Sequence, residues 1–171
     1  MPIRGFEGSF PKVAADAYVD PIAVLIGQVT CEERSGVFPG AVLRADESSI
    51  EIGKGSFVLD LSLIEAPSGC PVTVGDGSII SHGAVLHGCS IGDSCLVGIG
   101  SIVLERSQVG DRCIVAAGSL IPPKVKVEPG SVLMGSPARK VRDATEEDVR
   151  ALKSEIIHLK HKIGRYAKQV P

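Results

Sequence analysis

The sequence predicts an all-β fold, a parallel β-helix of six-residue repeats followed by one C-terminal α-helix. Two observations carry this. From Ile91 an aliphatic residue recurs at every sixth position, as Ile91, Val97, Val103, Val109, Val115, Ile121, Val127 and Leu133. A small residue usually follows four places later, at Cys95, Ser101, Ser107, Cys113, Ser119 and Ser131. A period of six fits neither a helix nor an alternating strand. It fits a triangular coil of three short strands, with the small residue and its glycine-rich neighbour turning each corner. The second observation is composition: 171 residues contain 20 Gly but only four Phe, two Tyr and no Trp. A core of that size normally leans on rings, whereas stacked aliphatic ladders leave no room for them.

Each element follows from that pattern. Weak rungs occur at Val13, Val19, Leu25, Val37 and Leu43, and clear ones at Ile52, Val58, Ile64, Val74, Ile80 and Leu86. The period breaks near Glu47 to Ile50 and near Gly69 to Pro71, where loops are expected to bulge out. It ends near Ser136-Pro137, which bounds a β-helix over 1–137 and a linker plus helix over 138–171. Thr145 before Glu146, Glu147 and Asp148 reads as an N-cap with acidic residues in the first turn, where they suit the helix dipole. Val149, Leu152, Ile156, Leu159, Ile163 and Tyr166 then recur at helical spacing, so the helix has one apolar face to lay on a β-helix.

Charge and cysteines narrow the function classes. With 18 basic and 20 acidic residues the net charge is −2, which gives no field for nucleic acid or an anionic membrane. The N-terminus lacks the apolar stretch of a secretion signal, and no run is long enough for a membrane span, so a cytoplasmic location is expected. Five cysteines, at 31, 70, 89, 95 and 113, form no CxxC pair and are expected to be free thiols. Cys95 and Cys113, one coil apart, read as corner residues standing in for Ser. His158 and His161 on the helix have no third ligand near them and read as surface residues.

The coil register places the reactive side chains. The rungs of Leu43, Ile64 and Leu86 stack, so Arg44, Glu65 and His87 form one outward column. The rungs of Val58 and Ile80 stack likewise, which puts Asp60 beneath His82. The two histidines project from adjacent faces, so one chain struggles to bring both to one ion. A cyclic trimer would unite them across an interface.

Together, Val42-Leu43-Arg44-Ala45-Asp46, the dense Ile/Val-Gly-Asp turns, the run from His82 to Cys89 and Gly135-Ser136-Pro137-Ala138-Arg139-Lys140-Val141 resemble the gamma-class carbonic anhydrase family. The resemblance spans nearly the whole chain and implies a left-handed coil. It also implies a homotrimer in which three histidines between subunits hold Zn²⁺ (or Fe²⁺ or Co²⁺) and activate solvent for attack on CO₂. Carried over, His87 is a ligand from one subunit and His82 one from its neighbour, while the third position falls on Glu65 instead of His. Arg44 and Asp46 match a structural pair of the family, Asp60 a residue supporting a ligand, and Glu47 a residue that handles protons. Leu59 stands where the family has a solvent-orienting Gln, Phe57 where it has Asn, and Leu133 or Met134 where Tyr often lies.

A His₂Glu set can hold catalytic zinc, although the extra negative charge should leave its water less acidic. Alternatively, an Arg44–Glu65 pair would satisfy both side chains with no metal. Cys89, two residues from His87, is a further conceivable ligand. Three functions follow: a weak carbonic anhydrase acting on CO₂/bicarbonate, a trimeric scaffold that kept the fold without the chemistry, and, less favoured, a CoA-dependent acyltransferase with one histidine as base.

Overall fold

A computed structural model describes residues 3–169, so the outermost two positions at each end of the predicted spans lie outside the described residues. Short parallel strands stack into a β-solenoid in the predicted register. Val97 pairs with Val115 and Val115 with Leu133, and Ile91 with Val109 and Val109 with Val127, each partner eighteen residues on. The rung residues Val97, Val103, Val115 and Ile121 are fully buried. One apolar cluster of aliphatic, Ala and Cys side chains runs along the axis and contains no ring. Cys31 occupies a rung between Val13 and Ile52, which closes the apparent gap between Leu25 and Val37.

The solenoid has three faces. One is an eight-stranded sheet, with seven parallel strands from Tyr18–Val19 to Ser131–Gly135 and Ala138–Asp143 added antiparallel at its end. The other two merge into a twelve-stranded sheet because Val24–Cys31 and Val42–Ile52 run round a corner without stopping. The loop expected at Glu47–Ile50 is therefore not a loop. Val42–Ile52 absorbs its extra residues as a register shift, Ala45 pairing with Gly27 and Ile50 with Val29, which is how a bulge takes up length while the ladder continues on either side. The second insertion, after Glu65, is a true turn closed by the Cys70 amide on the Pro67 carbonyl at 2.9 Å.

The corner residues form their own hydrogen-bonded column. Ser56 Oγ donates to the Gly75 carbonyl at 2.6 Å, Ser78 Oγ to Gly92 at 2.8 Å, Cys95 Sγ to Gly110 at 3.1 Å and Cys113 Sγ to Glu128 at 3.2 Å. Each group reaches one coil onward, so Ser and Cys are interchangeable there. Ser131 ends the column with no coil beyond it, and its buried hydroxyl has no partner among the described residues. All five cysteines are free and buried. Desolvation pushes the thiols of Cys31, Cys89 and Cys95 up to about 12, and Cys89 packs inside the axial apolar cluster.

The helix spans Glu146–Tyr166 and opens with a reciprocal capping box between Thr145 and Asp148. It lies along the eight-stranded face of its own chain, packing Leu152 and Leu159 on Phe38, Phe57, Leu59 and Ile79. Four of the six rings gather here, outside the solenoid, with Phe38 edge-on to Phe57 at 6.4 Å and Tyr18 tilted against Tyr166 at 6.2 Å. No helix among the described residues is long and apolar enough to cross a membrane.

Candidate metal centre

The predicted column exists. Arg44 pairs with Glu65 and Glu65 with His87 in parallel register. The Arg44 guanidinium contacts Glu65 Oε1 through Nη2 and Asp46 Oδ2 through Nη1, the latter at 2.9 Å. The Asp46 and Glu65 carboxylates hold Arg44 more firmly protonated than usual, Asp46 most strongly. His87 Nε2 lies 3.8 Å from the same Glu65 oxygen. That gap is beyond direct hydrogen bonding.

His82 sits at the far edge of the same face, where its Nδ1 lies 2.9 Å from Asp60 Oδ2. Its side chain is half exposed, and among the described residues no ion pair joins it to the column. Among the described residues no group of three or more His, Cys, Asp or Glu in one chain is arranged to hold an ion. The structure thus unites Glu65 with His87 and leaves His82 apart, as the register requires.

Glu47 is exposed and accepts the Ser68 amide at 3.1 Å, which ties the bulge in Val42–Ile52 to the turn after Glu65. Gly88, with φ near 57°, follows His87; a Cβ there would lie 2.8 Å from Cys70 Cβ, so glycine lets that turn close over the column. Leu59 and Phe57 are buried beneath the helix, Leu133 is buried, and Met134 is exposed. None supplies a polar group.

Sequence reasoning misses Glu105. Its Oε1 lies 3.3 Å from His87 Nδ1. Leu86 pairs with Val103 only seventeen residues on, because the segment from Leu86 to Ile91 is one residue short. That shortened repeat is the available signal that the side chain following Leu104 is displaced toward His87.

Glu65, His82 and His87 are of the residue types that hold a divalent ion. Both histidines turn Nδ1 to a carboxylate, Asp60 or Glu105, which leaves Nε2 as the free donor. Metal-binding imidazoles are oriented in this way. Glu65 meets Arg44 and His87 through Oε1, and a carboxylate has lone pairs enough to serve an Arg and an ion together.

The outward side chains between the two histidines are apolar. Val24, Val42, Leu63, Val85, Ile102 and Leu120 alternate with fully buried rung residues, and no element among the described residues covers them.

A coiled β-solenoid with six-residue rungs defines the class, and comparisons with known proteins agree. Residues 88–123 match the family model described as bacterial transferase hexapeptide (six repeats). The chain is 42% identical over 135 residues to the "Probable carbonic anhydrase" of Methanocaldococcus jannaschii, covering 79% of this chain and 85% of that one. It is 35% identical over 158 residues to Protein YrdA of Escherichia coli, covering 88% and 86%. A hexapeptide transferase family protein from Anaplasma phagocytophilum superimposes with a TM-score of 0.92 at 29% identity, covering 96% and 97%. The chain belongs to the gamma-class carbonic anhydrase-like family of hexapeptide-repeat proteins.

Proposed function

We propose that the protein is a homotrimer that holds a divalent metal, Zn²⁺ or else Fe²⁺ or Co²⁺, through Glu65 and His87 of one copy and His82 of the next, and that it hydrates CO₂ to bicarbonate slowly. The observation that carries this reading is the matched orientation of the two histidines, each with Nδ1 against a carboxylate and Nε2 free. The uncovered apolar face between them supports the trimer, because a patch of that kind calls for a partner surface.

When bound, the ion would act as a Lewis acid that acidifies solvent, toward a pKa of about 7 in a three-histidine zinc site. Glu65 places a negative charge where a third neutral imidazole would otherwise stand, which weakens that acidification. Arg44, itself braced by Asp46, withdraws part of the charge from Glu65 and fixes its orientation. Asp60, 2.9 Å from His82 Nδ1, would orient that ring with Nε2 outward. Glu47 is the exposed carboxylate for passing protons to bulk water. Leu59, buried under the helix, offers no hydrogen bond to orient solvent, which lowers activity further.

A second reading has its own observation. The Arg44–Glu65 contact satisfies both groups without an ion, as a metal-free scaffold would require. The acyltransferase reading draws on the match of residues 88–123 to a transferase hexapeptide family. Metal content of the purified protein, CO₂ hydration rate and a thermal shift with acetyl-CoA separate the three. Stoichiometric metal with slow hydration supports the first reading. If metal is bound only by Glu65→His, the scaffold reading stands, and stabilisation by acetyl-CoA alone would favour the transferase.

A further inference from the structure

We propose that Glu105 is the positioning residue that makes His87 an Nε2 metal donor, an inference that rests on the metal reading above. His87 lies between two carboxylates, with Glu105 Oε1 3.3 Å from Nδ1 and Glu65 Oε1 3.8 Å from Nε2. Glu105 is the nearer of the two carboxylates and the one that faces Nδ1. With the proton on Nδ1, the Nε2 lone pair faces the lone pairs of Glu65. Two electron-pair donors held face to face repel unless a cation lies between them. Glu105 thus sets the tautomer, and Glu65 supplies the facing ligand.

His82 and Asp60 repeat the arrangement on the other side of the apolar face, Nδ1 to carboxylate at 2.9 Å. The two orienting carboxylates arise differently. Asp60 lies directly beneath His82 on stacked rungs, whereas Glu105 comes from the coil beyond His87 and reaches back across the shortened repeat. Glu105 is half exposed and packs in no apolar cluster, so its replacement leaves the solenoid core untouched.

The test is ¹⁵N NMR of the histidine rings in metal-free full-length protein at pH 8, together with zinc affinity by competition with a chelator. In the parent protein His87 should carry its proton on Nδ1. Glu105→Ala should move it toward Nε2, leave His82 unchanged and weaken zinc binding about 10- to 100-fold. Glu105→Gln, which keeps an acceptor oxygen without the charge, should restore the tautomer and part of the affinity. Unchanged tautomer and affinity in Glu105→Ala would overturn the inference. So would an imidazolium protonated on both nitrogens in the parent, since His87 would then be a salt-bridge residue. A tautomer that responds to Glu105 in a protein that binds no zinc would leave the positioning role standing and remove the metal reading.

Discussion

Two of the three solenoid faces are apolar on the outside, and they differ in what covers them. The eight-stranded face presents Phe57, Leu59, Ile79 and Leu96, and the C-terminal helix of the same chain lies on it. The face carrying Arg44, Glu65 and His87 presents Val24, Val42, Leu63, Val85, Ile102 and Leu120, and nothing among the described residues covers it. The third face serves as the control, since its outward positions Thr30, Glu51, Thr73, Ser90, Gln108 and Lys126 are polar or charged. A chain that finishes one apolar face with its own helix leaves the other as the surface that the proposed trimer would cover. The candidate metal ligands lie on and at the edge of that bare face.

The largest effects are expected at the bare face. Val85→Glu should convert an assembled protein to monomers in sedimentation analysis, with its circular dichroism retained and its bound metal lost, whereas Thr73→Glu on the polar face should leave assembly intact. Monomers from both, or from neither, would remove the distinction between the faces. On the helix-covered face, Phe57→Ala should cost about 3–5 kcal/mol in urea unfolding, because a buried ring leaves a cavity, and should not by itself change oligomer mass. Smaller still is the effect of restoring the family's third ligand: Glu65→His should raise zinc affinity by roughly tenfold, about 1.4 kcal/mol, and speed CO₂ hydration. Higher affinity without faster hydration would place the bottleneck at Leu59, and no gain in affinity would remove Glu65 from the ligand set.

The smallest effects lie at the helix start. Thr145→Ala should cost about 1 kcal/mol of stability through loss of the N-cap. Asp148, held well below the usual carboxylate range first by Arg142 and then by Thr145, adds stability that is fully present above about pH 4 and is lost progressively as pH falls through the depressed native value. Asp148→Asn should flatten that part of the acid limb in urea midpoints measured from pH 6 to pH 2.5, while oligomer mass at neutral pH stays constant.

The solenoid is legible because a six-residue period admits few structures, and the register follows by counting rungs. Arg44, Glu65 and His87 fall in one column, and Asp60 beneath His82, for that reason alone. What periodicity cannot show lies where the period fails. The insertion before Ile50 reads as a loop, yet the backbone continues as strand because both neighbouring strands offer hydrogen-bond partners on either side of the bulge. Residues 138–143 carry no repeat and form an antiparallel strand that pairs with the last parallel strand of its face. Cys31 does not look like an aliphatic rung, although a thiol of that size packs as one. Glu105 escapes notice because a one-residue shortening shifts the side chains beyond it, and a strict count keeps them in line.

Crystals of the protein grown with equimolar zinc and measured at the zinc edge would show whether Glu65, His82 and His87 hold the ion. One anomalous peak per subunit is expected between the Nε2 atoms of His87 and the neighbouring copy's His82, with Glu65 within coordination distance. A refined site with no peak, the Arg44–Glu65 pair closed and the bare faces turned away from one another would contradict it.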